Sequence, residues 1–408
     1  MAAAELTVRE RTASIARASY GRLLAMLAAR SGDIAAAEDA LADAFVQALA
    51  TWPASGIPDH PEAWLFTVAR NRERNRVASA AHRTSVPMED AAEPTSPAPS
   101  DTEGPDRRLE LMFVCAHPAI DPAARTPLML QTVLGLDAKR IADAFAVPAP
   151  TLAQRLTRAK RRIRDARIPF CVPAPAVLPS RLPPVLEAIY GAYAIGWREP
   201  LAHEALDLAT TLADLMPGEA EVLGLAALTA LSASRSAART TSGGTFVPLD
   251  EQDPSAWDWA LIALGEAFLD RAHALSRPGR FQLEAAIQSA HADRARTGTT
   301  DRAALRKLHE ALVRLAPSLG AHVALAATIG DTEGPAAGLA HLDRLEGDAV
   351  RRFQPAWATR ADLLARAGRA DEARAAYEKA ISLTTDAGMR EWLRVQPRAG
   401  VGSSRCRR

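Results

Sequence analysis

Lysine is nearly absent: of 49 basic residues only Lys139, Lys160, Lys307 and Lys379 are lysine, and the rest are arginine. That ratio is what a GC-rich coding sequence produces, and it carries no function by itself. Cysteine is as scarce. Cys115, Cys171 and Cys406 are too few and too scattered for a disulfide framework, and the Cys115–His117 pair has no second pair at metal-ligand spacing. Aromatic residues make up only 5% of the chain, so Ala and Leu must fill the cores through close helix packing. No apolar run approaches the roughly 18 residues that can span a bilayer, and the charged N-terminal stretch has no signal-peptide core. There is also no nucleophile elbow or phosphate loop, and His273, His291, His309 and His322 stand without partner motifs. The expectation is a cytoplasmic, non-enzymatic chain with no cofactor, metal or membrane partner.

What remains is long and clearly divided. At 408 residues and 48% hydrophobic content, two or three domains are expected. Residues 1–83 read as helices, with apolar positions at helical spacing in Ile15–Leu27, Ala40–Leu49 and Trp64–Val68, and a turn at Trp52–Pro61. Residues 84–106 hold five prolines and six acids with no Lys or Arg. This composition predicts an extended linker, either a plain spacer or a segment suited to a positively charged channel. Residues 107–170 return to helix, and the proline cluster Pro169–Pro184 closes them. Residues 179–396 alternate Ala/Leu helices with short loops. Near their end, Val323, Ala327, Gly334 and Leu339 are matched 34 residues later by Trp357, Ala361, Gly368 and Ala373. That period, with Ala373, Tyr377 and Ala380 at packing positions, predicts a tetratricopeptide-like repeat. Residues 397–408 are expected to be a disordered tail.

The positive charge is concentrated. Lys139–Arg167 carries nine Lys/Arg against Asp143 and Asp165, in a chain of net charge +1. A short helix (Lys139–Phe145), a proline-bearing turn and a basic helix starting at Thr151 follow at helix-turn-helix spacing. On that helix Leu152, Leu156, Ala159, Ile163 and Ala166 form an apolar stripe. Gln154, Thr157, Arg158 and Arg161 lie opposite, flanked by Thr151, Arg155 and Arg162. This is the layout of a recognition helix, in which Gln reads adenine, Arg reads guanine, and the later arginines hold phosphates. A second basic stretch combines Trp64 with Arg70, Asn71, Arg72, Arg74, Asn75 and Arg76, a set able to hold opened single-stranded DNA by stacking and phosphate contact. Glu38, Asp39 and Asp43 form an acidic helix face suited to docking on a basic protein surface.

The order of these parts resembles a bacterial sigma factor of the extracytoplasmic-function group. AEDALADAFVQALATWP and HPEAWLFTVARNR are similar to region 2, and LMFVCAHPAID with LDAKRIADAFAVPAPTLAQRLTRAKRRI to region 4. IPFCVP, EVLGLAAL, DEQDPSAWD, GRFQLEAAIQSAHA and GRADEARAAYEKA resemble the subgroup with a long tetratricopeptide-like extension. The resemblance implies an all-α chain: a region 2 domain (1–83), an acidic linker (84–106), a region 4 helix-turn-helix domain (107–170), a regulatory repeat domain (179–396) and a tail (397–408). It implies that Glu38, Asp39 and Asp43 face core RNA polymerase at its clamp, with region 4 on the flap. Arg70 to Arg76 would then lie near the −10 element, and Thr151, Gln154, Arg155 and Arg158 near the −35 element. The partners implied are polymerase, promoter DNA and a regulatory protein on the extension, in the nucleoid. Asn75-Arg76-Val77-Ala78-Ser79 stands where the family runs Asp-Arg-Leu-Arg-Arg, so two charges are missing. Ala194-Ile195-Gly196-Trp197 replaces Asn-Glu-Gly-Tyr, His322-Val323 replaces Asn-Arg, and Pro254 and Ala256 replace arginines. The alternative is an adaptor that tethers to polymerase or DNA without melting promoters.

Overall fold

The computed structural model describes residues 2–82, 106–196 and 201–396. The linker expected at 84–106, apart from Asp106, and the tail at 397–408 lie outside these residues. Among the described residues the regular structure is helical, with no strand and one isolated bridge between Thr240 and Phe246. The chain is all-α. It forms two compact units, Met1–Leu208 and Ala209–Arg408.

The first unit begins with a three-helix block: α1 (Ala2–Ser31), α2 (Ile34–Ser55) and α3 (Pro61–His82). Asp33 caps α2 by accepting the Ala36 N–H, and Pro61, with no N–H to leave unpaired, opens α3. The buried stripe of α2, from Ile34 through Leu41 to Trp52, packs against α1 and α3. The turn expected from Trp52 starts later, because α2 continues to Ser55. Trp52, only 1% exposed, anchors the last turn. Pro53 forfeits a single backbone bond near the helix end, and Gly56, at φ 81°, donates its N–H back to Trp52.

Four helices follow: α4 (Arg108–Cys115), α5 (Pro122–Thr132), α6 (Ala138–Ala144) and α7 (Ala149–Asp165). The core helix is α5, which touches α4, α6, α7 and also α8 (Leu178–Ile195). Leu178, Val185, Ala188 and Ile189 of α8 are buried, and Thr126 of α5 donates to the Pro184 carbonyl. The compact unit therefore runs past the boundary expected at residue 179, because α8 lies over α5. It ends within α9 (Leu201–Leu215).

In the second unit α10 (Ala220–Ala233) is buried at every position except Glu221, between α11 (Trp259–Ala274) and α12 (Arg280–Ala292). The Glu221 carboxylate accepts the Phe281 and Gln282 N–H groups at the N-terminus of α12, at 3.1 and 3.2 Å. Close approach requires Gly279 there: a Cβ would sit 2.1 Å from that carboxylate. Next come α13 (Arg294–Thr297), α14 (Arg302–Leu315), α15 (Leu319–Thr332), α16 (Pro335–Leu342), α17 (Asp348–Arg352), α18 (Gln354–Arg366), α19 (Ala370–Leu383) and α20 (Ala387–Val395). The pairs α15/α16 and α18/α19 are helical hairpins that pack on each other. Their turns hold Gly334 at φ 99° and Gly368 at φ 77°, the two glycines that the 34-residue offset aligns. Only glycine takes that backbone without strain. Ala373, Tyr377 and Ala380 lie in the hairpin core.

Candidate nucleic-acid interface

α6 and α7 form the turn that the sequence predicts. Asp137 caps α6 by accepting the Lys139 and Arg140 N–H groups at 3.0 and 2.9 Å. α7 starts at Ala149 rather than Thr151, because Pro150 sits in the first turn, where its missing N–H costs nothing. Leu152, Leu156, Ala159 and Ile163 are buried as expected. Ala166 is not: α7 ends at Asp165, and Ala166 is exposed.

The opposite face is free. Thr151, Gln154, Thr157, Arg158, Arg161 and Arg162 are exposed and Arg155 is half-buried. The Thr157 hydroxyl donates to the Ala153 carbonyl. Arg155, Arg158 and Arg162 line a cavity of about 210 Å³ together with Ala119, Ile120 and Asp121. His117, whose Nδ1 accepts the Ala119 N–H, reports the local field. Burial holds its pKa below the ordinary histidine value, and Arg181, Arg125 and Arg162 lower it further. The end of α7 and the turn before α5 thus form one positive surface.

The second basic stretch is built differently. Ala63, Leu65, Phe66, Val68 and Ala69 root the first half of α3 in the core. Trp64 is half-exposed and meets Trp52 edge-on at 5.5 Å between ring centroids. Arg70 and Asn71 are half-buried, while Arg72, Arg74, Asn75 and Arg76 are exposed. Arg76 lies 3.3 Å from Asp39, an exposed pair of little energetic weight. Val77–Ser79 continue the helix.

Of the three acids on α2, Asp39 and Asp43 are exposed, and Val46 and Leu49, 66% and 43% exposed, continue their stripe. The sequence reading did not place these two apolar residues on the docking face, although Val46 lies three and seven residues from Asp43 and Asp39 at helical spacing and Leu49 lies three residues beyond Val46. Glu38 is engaged elsewhere. Lys160 on α7 donates to both of its oxygens, at 2.7 and 2.6 Å, and to Gln131 Oε1 at 2.8 Å. Arg164 reaches Asp33 at 3.7 Å along the same seam. Lys160 escaped the sequence reading because it lies on neither the apolar stripe nor the reading face.

The isolated histidines of the second unit sit within its helices. His291 is pushed down to about 4 by burial, with Arg235, His309 and Arg294 adding to the shift. His322 stacks on His341 at 5.7 Å. Among the described residues no three His, Cys, Asp or Glu side chains converge on a metal-binding point. No helix among them is long and apolar enough to cross a membrane.

With this geometry established, comparison with known proteins places the chain. Residues 15–83, covering most of α1 together with α2 and α3, match sigma-70 region 2, and residues 181–273 match a family of unknown function, DUF6596. The chain belongs to the sigma-70 class of RNA polymerase sigma factors, of the extracytoplasmic-function kind. More narrowly, it belongs to one family with the uncharacterized protein R00370 of Rhizobium meliloti, 35% identical over 376 residues, 88% of this chain and 89% of that protein. It is also similar to the probable ECF RNA polymerase sigma factor SigI of Mycobacterium tuberculosis, 30% identical over 143 residues. That match covers 34% of this chain and 49% of the relative's length. No solved structure matches the chain.

Proposed function

We propose that this sigma factor reads the −35 promoter element with α7 and grips the −10 element with α3, while α2 docks on the polymerase clamp and the α4–α7 block on the flap. The observation that carries the reading is α7 itself: one face buried, and the other offering Gln154 and Arg158 to base edges and Arg155, Arg161 and Arg162 to phosphates. Two-faced basic helices after a short helix and turn enter the major groove in this way. Thr151 and Thr157 complete that face. On α3, Arg72, Arg74, Asn75 and Arg76 extend beyond a buried root, with Arg70, Asn71 and Trp64 nearer the core. That arrangement suits phosphates and unstacked bases of an opened strand. Asp39, Asp43, Val46 and Leu49 give α2 the mixed acidic and apolar stripe that fits a basic partner, with Glu38 beside it. The work takes place in the cytoplasm at the nucleoid, with the second unit as a regulatory domain that takes a protein partner.

The test is reconstitution with core polymerase. Promoter-specific transcripts and permanganate-reactive thymines in the bubble are expected. Core binding and duplex binding without reactive thymines would establish instead a tethered adaptor, which the two charges missing after Asn75 favour. Neither core binding nor transcripts would remove both readings.

A further inference from the structure

We infer that the second unit carries a binding site for a small amphiphilic carboxylate, an apolar group bearing one acid, in the cavity between α16, α17 and α18. The inference goes beyond the promoter reading and does not depend on it. The site arises where the repeat is interrupted. Within the hairpins the paired helices are joined by short turns, but the link from α16 to α18 carries an extra helix, α17. None of its residues is buried, so α17 stands off the hairpins instead of filling the space between them. Trp357 of α18 ties it down, since its Nε1 donates to the Arg351 carbonyl at 3.1 Å. The space so enclosed is a cavity of about 470 Å³, inside the range of roughly 300–1,000 Å³ that small-molecule sites occupy.

Its walls define what fits. Leu342, Leu345, Val350, Ala356 and Trp357 line the cavity, and all five are continuous with the hairpin core. The indole N–H of Trp357 is already engaged by Arg351, so the ring offers a ligand only carbon. An apolar group entering here leaves water and meets an aromatic face.

The charged lining residues set the other end of the ligand: Arg351 and Arg360 against the single acid Glu346. Asp348 pairs with Arg351, and Asp343 with Arg360 at 2.6 Å. Neither aspartate lines the cavity, and both are exposed. Exposed pairs of this kind hold little energy, so an entering carboxylate can replace Asp343 on the same planar fork of donors. A cationic ligand would meet two guanidiniums, and a neutral one would use neither. A free aromatic or aliphatic acid and the C-terminal residue of a peptide present the same chemistry, an apolar group beside one carboxylate.

The experiment titrates the full chain by calorimetry with para-benzoylbenzoate, its neutral amide and the free acid acetyl-Gly-Gly-Phe, then photolyses the benzophenone and maps the label. Saturable binding of the acid is expected, at least about tenfold tighter than the amide, with label on residues 342–360. Arg351→Gln with Arg360→Gln should weaken the acid at least about tenfold without moving the thermal midpoint. Leu345→Trp, which fills the cavity and keeps both arginines, should abolish the label. The amide comparison and the label map use the unaltered chain, so they decide the matter even where a variant unfolds. Tighter binding of the tripeptide than of para-benzoylbenzoate assigns the site to a peptide C-terminus, and the reverse order to a free acid; either order supports the site. No saturable binding of either acid below about 1 mM, label confined to other residues, or equal affinity for acid and amide would overturn it. None of these outcomes bears on promoter binding, so the two readings fail separately.

Discussion

The two arginine-bearing helices of the first unit are opposite designs. α7 separates charge around its circumference: Leu152, Leu156, Ala159 and Ile163 are buried along its whole length, and Arg158, Arg161 and Arg162 face out while Lys160 is turned to Glu38. α3 separates charge along its axis, with an apolar first half in the core and, beyond it, the exposed Arg72, Arg74 and Arg76. A helix of the first kind lies flat on a platform and presents a long ruled surface, which suits a groove. A helix of the second kind projects a charged tip from a fixed root, which suits a flexible strand. Their platforms differ as well. α3 rests on α1 and α2, whereas α7 rests on α5, which also packs against α8.

The largest expected effect tests that packing. Truncation after residue 180 removes α8 and uncovers α5, whereas truncation after residue 217 keeps it. Loss of buried side chains such as Val185 and Ile189, both 0% exposed, should cost at least about 3 kcal/mol in urea unfolding of the shorter fragment. Hydrogen exchange should rise in α5 and α7 far more than in α3. Equal unfolding midpoints for the two fragments would show that α8 is not part of the α7 platform.

The next effect separates the helices by function. Arg158→Ala should weaken binding to a −35 duplex by about 1–3 kcal/mol, roughly fivefold to 150-fold, and relax the preference at one base pair. Arg74→Ala should leave that duplex binding within about threefold and reduce permanganate reactivity at the −10 thymines instead. Equal losses on the duplex would collapse the distinction between ruled surface and tip.

Much of this architecture was legible in the sequence, for a physical reason. A buried helical stripe is a local periodic signal, so α7's apolar face could be read directly, and so could the turn glycines Gly334 and Gly368, whose backbone angles no other residue tolerates easily. The details that escaped depend on distant partners. Lys160 and Glu38 are 122 positions apart, and nothing near either residue reveals the other. α8 follows a proline cluster that reads as a boundary, yet its apolar face belongs to α5. Within α7 the sequence misplaced the ends, since Pro150 at the start is tolerated and Ala166 falls past the last turn. The residues assigned to the −35 reader all lie on one accessible surface. Of the acids assigned to polymerase, Glu38 is turned to a well-covered internal partner, Lys160, while Asp39 meets Arg76 only in an exposed pair.

The smallest effect tests the α7 platform by pH. Glu204 on α9 faces Arg108 of α4 at 3.7 Å, with side chains 18% and 14% exposed. Burial raises its carboxyl to about 7, Asp207 and Asp106 push in the same direction, and Arg108 only partly opposes them. A carboxyl that titrates near 7 when folded and near 4.5 when unfolded binds its proton more tightly in the folded state. Its stabilising contribution is therefore full below about pH 4.5 and is lost as pH rises through about 7. Glu204→Gln keeps the shape without the charge. It should stabilise the 1–217 fragment by about 1 kcal/mol at pH 8, allowing for solvent screening, and give no gain at pH 4.5. Amide exchange should slow in α4 and α5 at the higher pH while α3 stays unchanged. A loss of stability at pH 8 would mean that Arg108, and not burial, governs Glu204; a gain of equal size at both pH values would mean that its charge plays no part, and the platform under α7 would then be no more pH-sensitive than the root of α3.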